Sequence, residues 1–269
     1  MRSKIPCGLR QAGGLRRADP TGAFTLIELL VVIAIIAILA AIVLTGVSRA
    51  QNSASKATDI NNLHQITMGL NVYTTDNNDV IFPPNWDNGG FDGAQGTNTG
   101  WLYAVNLSAS GTNRFHVNTG LLWPILQNPK VYFCPMDNPT ASAYSESQGV
   151  TMQRPQQISS YAMNGAVIGF QSMIYPPVKL TALRPTDCAF WETDQRDPYY
   201  FNDGANYPGE GVSPRHYWGG IEGAFGGGVD YVRLTDWNND VDFTGKNRLW
   251  CYPLSADGGD PSAPGHGAE

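Results

Sequence analysis

Basic residues are scarce in this sequence, and so are histidine and cysteine. Seventeen Lys and Arg oppose 23 Asp and Glu among 269 residues, which gives a net charge of −6. Nucleic-acid binding depends on basic surfaces, so this balance argues against a nucleic-acid partner. The cysteines and histidines stand far apart, and no pair has the short spacing typical of zinc ligands. We therefore expect no zinc site, and we interpret the histidines as structural or exposed: His64, His116, His216 and His266.

The sequence also lacks the short motifs that mark common catalytic sites. It contains no Gly-x-Ser-x-Gly elbow, no phosphate loop, no His-Glu-x-x-His motif and no dinucleotide-binding fingerprint. The glycines at 226–228 are not followed by the helix that a phosphate cradle needs. Glu192 and Asp194 are close in sequence, and we interpret such neighbouring acids as surface charge. The sequence thus predicts a protein that is not an enzyme.

A long apolar run does occur near the N-terminus, at residues 24–47. Its length corresponds to about 36 Å of helix, which is enough to cross a hydrocarbon core of about 30 Å. The preceding residues 1–23 carry five basic residues and one acid, a bias that keeps this end of the chain in the cytoplasm. Glu28 is a lone acid inside the run, and an acid in a membrane segment is costly, so it marks a functional residue.

Three interpretations compete for this segment. A secretory signal peptide has a shorter apolar region and a cleavage site after it, for which residues 48–50 (SRA) are the candidate. A plain transmembrane anchor explains the length of the run but does not explain why it contains an acid, Glu28. The third interpretation rests on residues 23–30 (AFTLIELL), which closely resemble the cleavage and methylation motif of type IV pilins and type II secretion pseudopilins.

The resemblance implies that a prepilin peptidase cuts between Ala23 and Phe24 and methylates the new amino group of Phe24. The family usually has Gly where this chain has Ala23. The resemblance also implies that Glu28 serves in assembly, as the counter-charge for the terminal amine of a neighbouring subunit. Removal of residues 1–23 changes the net charge from −6 to −10, because five basic residues and one acid leave with them.

The same resemblance implies a location and a set of partners. The protein is expected in the inner membrane as a single-pass protein, with a cytoplasmic N-terminus and a periplasmic head, and then in a periplasmic or surface filament. Expected partners are the prepilin peptidase, an inner-membrane assembly platform, and copies of itself or other pilins. The expected function is that of a structural subunit, major or minor, of a type II secretion pseudopilus or a type IV pilus-like filament.

The apolar pattern beyond the membrane segment predicts that the helix continues to Thr75. Small and apolar residues recur every three or four positions between Val47 and Tyr73, which is typical of an amphipathic helix. The turn-forming residues 76–79 (DNND) and the prolines at 83 and 84 end it.

We therefore divide the chain into five parts. These are a removed leader (1–23), a transmembrane helix (24–47), its amphipathic extension (48–75), a globular head (76–255) and a disordered tail (256–269). The expected fold is α+β and pilin-like, with the long helix packed on an antiparallel sheet. Strands are predicted within the head at three places: 160–167, 187–193 and 228–234.

The head carries weaker similarities to large pseudopilin-like proteins of planctomycete and verrucomicrobial bacteria. These lie at residues 63–66 (LHQI), 133–137 (FCPMD), 160–164 (SYAMN), 215–216 (RH) and 249–253 (LWCYP). Each match is short, and together they support the architecture more than any mechanism.

Two sets of residues are candidates for cross-linking or metal binding. Three cysteines remain after leader removal, and either one disulfide with one free thiol or three reduced thiols fits this number: Cys134, Cys188 and Cys251.

Oxygen-bearing side chains alternate in one segment, as they do at the start of a calcium-binding loop: Asp236, Asn238, Asp240 and Asp242. Calcium is thus a possible cofactor, although the Gly and Glu of an EF-hand are missing and a polar turn is the simpler interpretation.

A second function is considered for the head, that of a membrane-tethered or secreted module that binds carbohydrate or another substrate. It rests on aromatic residues in loops rich in Gly, Asn and Pro, which either bind a ligand or belong to the core: Trp86, Trp101, Tyr199, Tyr200, Phe201, Tyr217 and Trp218.

Overall fold

A computed structural model describes residues 24–85, 99–168 and 178–259. The leader (1–23) and residues 260–269 of the predicted tail lie outside the described residues. The chain divides into two compact units, and the division falls between Ala50 and Gln51.

Helix α1 spans Leu26–Asp76, which confirms the expected long helix to within two residues at either end. Its C-terminal end is set by the predicted turn. Asn78 and Asp79 both adopt left-handed backbone conformations, with φ of 56° and 69°. The Asp79 N–H donates to the Thr74 carbonyl at 2.9 Å, so a carbonyl at the end of the helix is satisfied.

Within the second unit, α1 buries one face against the remainder of that unit. Leu63, Ile66 and Leu70 are fully buried, as their spacing predicts. The buried face begins at Asp59, however, and Ala57, which belongs to the predicted apolar stripe, is exposed. The sequence thus predicted the correct face, but it placed the start of the packing too early and missed a buried acid.

The described residues of the second unit form seven strands and two further α-helices. The strands are β1 (Ser142–Ser145), β2 (Val150–Gln153), β3 (Tyr161–Asn164), β4 (Cys188–Glu192), β5 (Ala205–Asn206), β6 (Gly219–Ala224) and β7 (Val229–Arg233). The helices are α2 (Trp123–Leu126) and α3 (Leu234–Asp242).

The main sheet has the strand order β5-β3-β4-β6-β7, and β1 and β2 form a separate antiparallel pair. In the main sheet β3–β4, β4–β6 and β6–β7 are antiparallel, as expected, whereas the two-residue β5 pairs with β3 in parallel. The three predicted strands correspond to β3, β4 and β7. Strand β3 ends earlier than predicted because the Asn164 side chain accepts from the Ala166 N–H and turns the chain into a 3₁₀ helix.

Aromatic side chains fill the core between α1 and the sheet. The Trp101 ring lies edge-on to Phe190 of β4, with 5.0 Å between the ring centroids, and both residues are fully buried. The Trp101 indole N–H donates to the Gly204 carbonyl at 2.8 Å, so its polar atom is satisfied. The first residues of the predicted disordered tail are part of this packed unit, because the Tyr252 N–H donates to the Gly258 carbonyl at 2.9 Å.

Gly223 of β6 permits the close approach of α1 to the sheet. A Cβ at this position would lie 2.6 Å from Thr67 Cγ2 and 3.2 Å from Leu63 Cγ. We expect Gly223→Ala to lower the free energy of unfolding by about 1–3 kcal/mol, because it overpacks this contact. Gly228→Ala is the matched control, since a Cβ there meets no atom within 4 Å. Denaturant unfolding of the full chain in detergent measures both, and equal losses would contradict this role of Gly223.

Candidate functional site

The N-terminal part of α1 is the first feature of functional interest. The Thr25 N–H donates to Glu28 Oε2 at 2.9 Å, and the Glu28 N–H donates to Thr25 Oγ1 at 3.3 Å. This reciprocal pair is a capping box, which satisfies two N–H groups at the start of the helix. Glu28 therefore has a local role that the sequence analysis missed, although the Thr-x-x-Glu spacing is its known signature.

The apolar part of α1 fits a membrane span by length and composition. An 18-residue window of the helix has a mean hydropathy of 3.2, and none of it is buried. Phe24 is itself exposed. Ala23, the residue on the other side of the expected cleavage site, lies outside the described residues.

The second feature is a cluster of charged residues buried in the second unit, which we call the buried charge cluster. It contains three carboxylates and three basic side chains, together with one thiol: Asp59, Asp137 and Glu192, then Arg154, Arg215 and His216, with Cys134. These residues come from α1, β4 and three loop segments. Three of the five short sequence similarities of the head therefore meet at one place, namely residues 133–137, 160–164 and 215–216.

His216 lies at the centre of the buried charge cluster. Its Nε2 atom is 3.0 Å from Asp59 Oδ2, 3.4 Å from Glu192 Oε2 and 3.6 Å from Cys134 Sγ. The other oxygen of Asp59 accepts from the Tyr161 hydroxyl. The other oxygen of Glu192 accepts from Arg215 Nη1 at 2.9 Å. Both oxygens of Asp59 and both oxygens of Glu192 therefore have a polar partner.

Asp137 forms the outer part of the cluster with two arginines. Arg154 makes a bidentate pair with it, at 2.6 and 2.7 Å, and Arg215 Nη2 is 3.3 Å from Asp137 Oδ1. The Ser160 hydroxyl donates to Asp137 Oδ2 at 2.6 Å and accepts from the Cys134 N–H at 3.0 Å. Arg215 therefore bridges Asp137 to Glu192 and joins the two parts of the cluster.

Burial and mutual contact set the protonation states of these groups. Burial raises the pKa of Asp59 to about 6, and the neighbouring Glu192 carboxylate adds to this effect. Burial alone would lower the pKa of His216, but its hydrogen bonds to Asp59 and Glu192 outweigh burial and raise that pKa to about 9. Burial also raises the pKa of the Cys134 thiol. In the absence of a cation, His216 is thus an imidazolium at neutral pH, and Cys134 is a neutral thiol.

With His216 protonated, three positive charges balance three negative charges in the cluster. A buried charge is tolerated when it is paired and hydrogen-bonded, and this arrangement meets both conditions. The cluster joins α1 to β4 and to the segment before β6, so it fixes how the helix lies on the sheet. The expectation that Glu192 and Asp194 are surface charge is wrong, because both are buried. Of the two roles expected for His216, structural or exposed, it has the structural one, at the centre of a site formed by residues far apart in sequence.

The loop predicted at residues 236–242 is wrong, because these residues belong to helix α3 (Leu234–Asp242), whereas calcium binding itself stays a prediction. Alternate residues of a helix lie about 200° apart around its axis, so the four side chains do not converge as they would in a loop. Two of the acids pair with arginines: Asp240 Oδ2 is 2.6 Å from Arg248 Nε, and Asp236 Oδ2 is 3.9 Å from Arg233 Nε. The remaining two candidates, Asn238 and Asp242, lie on the same helix.

The disulfide considered from the sequence is not formed. Cys134, Cys188 and Cys251 are all buried free thiols. The alternative with three reduced cysteines is therefore the one that the structure has. Cys134 belongs to the buried charge cluster, whereas Cys188 and Cys251 lie near the Asn164 side chain, which donates to the Cys188 carbonyl and to Cys251 Sγ.

Two of the seven aromatic residues proposed for binding belong to the interior. Trp101 and Phe201 are fully buried, and Trp86 lies outside the described residues. Tyr217 and Trp218 differ, since they are 70% and 79% exposed. They occupy the two central positions of a turn that is closed by the His216 N–H and the Gly219 carbonyl. Tyr199 and Tyr200, the remaining two, are half-buried.

The turn at Tyr217 and Trp218 is energetically unfavourable for these residue types. Both have positive φ, 54° and 67°, where bulky side chains are disfavoured and Asn or Gly is usual. We expect Trp218→Gly to raise the free energy of unfolding by about 0.5–1 kcal/mol, because glycine adopts this conformation without strain. Thermal unfolding of the full chain measures the change. Trp218→Ala keeps the strained backbone and is the control, and a stabilisation by Ala equal to that by Gly would contradict the explanation.

Comparison with known proteins gives one match. Residues 21–44 match the family model of the prokaryotic N-terminal methylation motif. This motif is the hallmark of the prepilin-type signal of type IV pilins and pseudopilins, so the chain carries that signal, and its α+β layout with a long N-terminal helix is pilin-like. No curated protein and no solved structure gives a significant match. The matched region contains Phe24 and Glu28 and excludes the buried charge cluster.

Proposed function

We propose that this protein is a structural subunit of a type IV pilus-like filament or of a type II secretion pseudopilus. The observation that carries the proposal is the methylation motif at residues 21–44, followed directly by an apolar helix long enough to cross a membrane. Proteins with this signal are structural subunits and not enzymes, in agreement with the sequence analysis. A prepilin peptidase is the implied processing partner.

The proposal includes a location and an assembly role. The basic leader keeps the N-terminus in the cytoplasm, so the second unit would face the periplasm while the protein is in the inner membrane. After cleavage, the apolar part of α1 would leave the bilayer and pack against the same part of neighbouring subunits. An inner-membrane assembly platform and other pilins would be the partners in this step.

Mass spectrometry of the mature N-terminus tests the proposal directly. The full chain is co-expressed with a prepilin peptidase and compared with the same chain expressed without it. An N-terminus at N-methyl-Phe24 that depends on the peptidase is the expected result. Ala23→Gly, which restores the usual residue of the motif, is expected to be cleaved at least as completely. A mature chain that begins at Gln51 would identify a secreted protein and would contradict the proposal.

A second candidate function is favoured by the exposed turn at Tyr217 and Trp218. Two large rings held outward by a strained backbone resemble the surfaces on which sugar rings stack, and strain of this kind is often found at binding sites. The test is binding of the full chain to soluble polysaccharides, with Trp218→Ala as the variant that loses binding. Leu254→Ala is the control, because Leu254 is a similarly exposed apolar residue. Unchanged binding by Trp218→Ala would exclude this function for the turn.

A further inference from the structure

Four side chains of the buried charge cluster present one metal-binding atom each to a common centre. They are Asp59, Cys134, Glu192 and His216, and these atoms all lie within 4.8 Å of one another. All four residues are buried. They come from α1, from the loop after the 3₁₀ helix at residues 129–132, from β4 and from the segment before β6.

More polar atoms surround His216 Nε2 than one hydrogen bond requires. This nitrogen carries either one hydrogen or one lone pair, so it can make one well-directed hydrogen bond. Three polar atoms nevertheless face it, from Asp59, Glu192 and Cys134, at 3.0, 3.4 and 3.6 Å. Such crowding of polar atoms around a single nitrogen is expected when all four atoms point to one cation.

The distances agree with those of a tetrahedral zinc site. Zinc binds nitrogen and oxygen at about 2.0–2.1 Å and sulfur at about 2.3 Å, which places neighbouring ligand atoms about 3.3–3.5 Å apart. The two separations from His216 Nε2 to carboxylate oxygens and the one to Cys134 Sγ are close to these values. No separation in the group exceeds 4.8 Å, and rotation of the carboxylates would close the set around an ion.

Three of these four side chains have outer contacts of the kind found in preorganised metal sites. In such sites the non-ligating atoms of the ligands are held by further hydrogen bonds. The Tyr161 hydroxyl holds the second oxygen of Asp59, and Arg215 holds that of Glu192. Two backbone groups also hold the atoms that face His216: the Ile221 N–H donates to Glu192 Oε2 at 2.8 Å, and the Met136 N–H donates to Cys134 Sγ at 3.4 Å.

We propose that Asp59, Cys134, Glu192 and His216 bind one zinc ion in a closed structural site that fastens α1 to the sheet. A thiolate and an imidazole favour zinc over calcium or magnesium, which prefer oxygen ligands alone. The charges also agree: a divalent cation with one thiolate and two carboxylates sums to −1, and Arg215, bonded to Glu192, cancels it. Four protein ligands leave no open position for a substrate, so the role is structural.

Metal analysis of the purified full chain tests this proposal. The protein is extracted in detergent without chelators, and its metal content is measured by mass spectrometry. One zinc per chain is the expected result for the unmodified protein and for Cys251→Ser, whose cysteine is buried but outside the cluster. Cys134→Ser is expected to lose the zinc. Equal zinc content in Cys134→Ser and Cys251→Ser, or none in the unmodified protein, would overturn the proposal.

A second measurement covers the case in which Cys134→Ser does not fold. Tyr161→Phe removes the hydroxyl that orients Asp59 but leaves all four ligands, and it is expected to weaken zinc binding by about 10- to 100-fold in a chelator competition. Cobalt substituted for zinc is expected to show a thiolate-to-cobalt charge-transfer band. Absence of this band in the folded protein, or unchanged affinity in Tyr161→Phe, would overturn the proposal. Neither readout depends on cleavage at Phe24 or on filament assembly.

Discussion

Glu28→Val is expected to be cleaved and methylated normally and to be absent from filaments. In the proposed filament, the apolar helices exclude water around the Glu28 carboxylate and the amine of Phe24 of a neighbouring subunit. Removal of one partner of a buried pair leaves the other charge uncompensated, at a cost of about 3–5 kcal/mol per subunit. Fractionation of sheared filaments, together with mass spectrometry of the membrane-bound pool, measures both outcomes in the same cells.

The capping box provides the control that separates two roles of Glu28. Glu28→Gln keeps an oxygen that can accept from the Thr25 N–H but removes the charge, so it is expected to fail in assembly as Val does. Thr25→Ala keeps the charge but removes the hydroxyl that bonds to Glu28, and it is expected to assemble. Normal filaments from Glu28→Gln would show that the carboxylate serves the start of the helix and not the neighbouring amine.

Arg215→Met is expected to destabilise the second unit by about 3–5 kcal/mol, the largest stability effect that we anticipate for a single substitution. Its side chain is only 4% exposed and pairs with both Asp137 and Glu192. Met fills a similar volume but provides no positive charge, so among the described residues Arg154 remains the only basic partner of Asp137, and His216 that of Glu192. Denaturant unfolding of the full chain in detergent measures the loss.

Arg233→Met is the matched control for this prediction. Arg233 also pairs with a carboxylate, that of Asp236, at 3.9 Å, but the two side chains are 73% and 60% exposed. Solvent screens such a pair, so its removal is expected to cost at most about 1 kcal/mol. Losses of similar size in the free energy of unfolding would indicate that the burial of Arg215 does not increase the cost of removing its charge.

The sequence predicted those structural features that are determined by residues close together in the chain. The motif at residues 23–30, the apolar run and the spacing of Leu63, Ile66 and Leu70 are local patterns, and they identified α1 and its buried face. Three strands were identified for the same reason, since their apolar runs are bounded by turns. The motif match confirms the prepilin-type signal within α1 and the residues before it.

The buried charge cluster was not predicted, because its contacts join residues far apart in sequence. Asp59 is 157 residues from His216 and 102 from Tyr161. One signal was available: Asp59 precedes Leu63 by four positions, so it lies on the same face of the helix as the apolar stripe. An acid on the buried face of an amphipathic helix requires a partner, and this requirement pointed to a site.

The loop predicted at residues 236–242 is wrong for a different reason. Alternating acids and amides were interpreted as a loop, but the segment continues directly from β7 into α3, and Trp237 is fully buried within it. Packing of Trp237 against Trp191 of β4, with ring centroids 4.9 Å apart, therefore stabilises a helix in a segment whose composition favours turns. Tertiary contact outweighed local preference here.

The long sequence separations within the buried charge cluster also determine the order in which the chain can fold during synthesis. Asp59 is synthesised early, whereas His216 and Arg215 follow more than 150 residues later. Until they are added, the apolar face of α1 carries an acid that has no basic partner. Closure of such a long loop is slow, since ordering the chain precedes the contacts that stabilise it. A chain arrested before residue 215 therefore keeps this face exposed, and it is a natural substrate for chaperones or proteases.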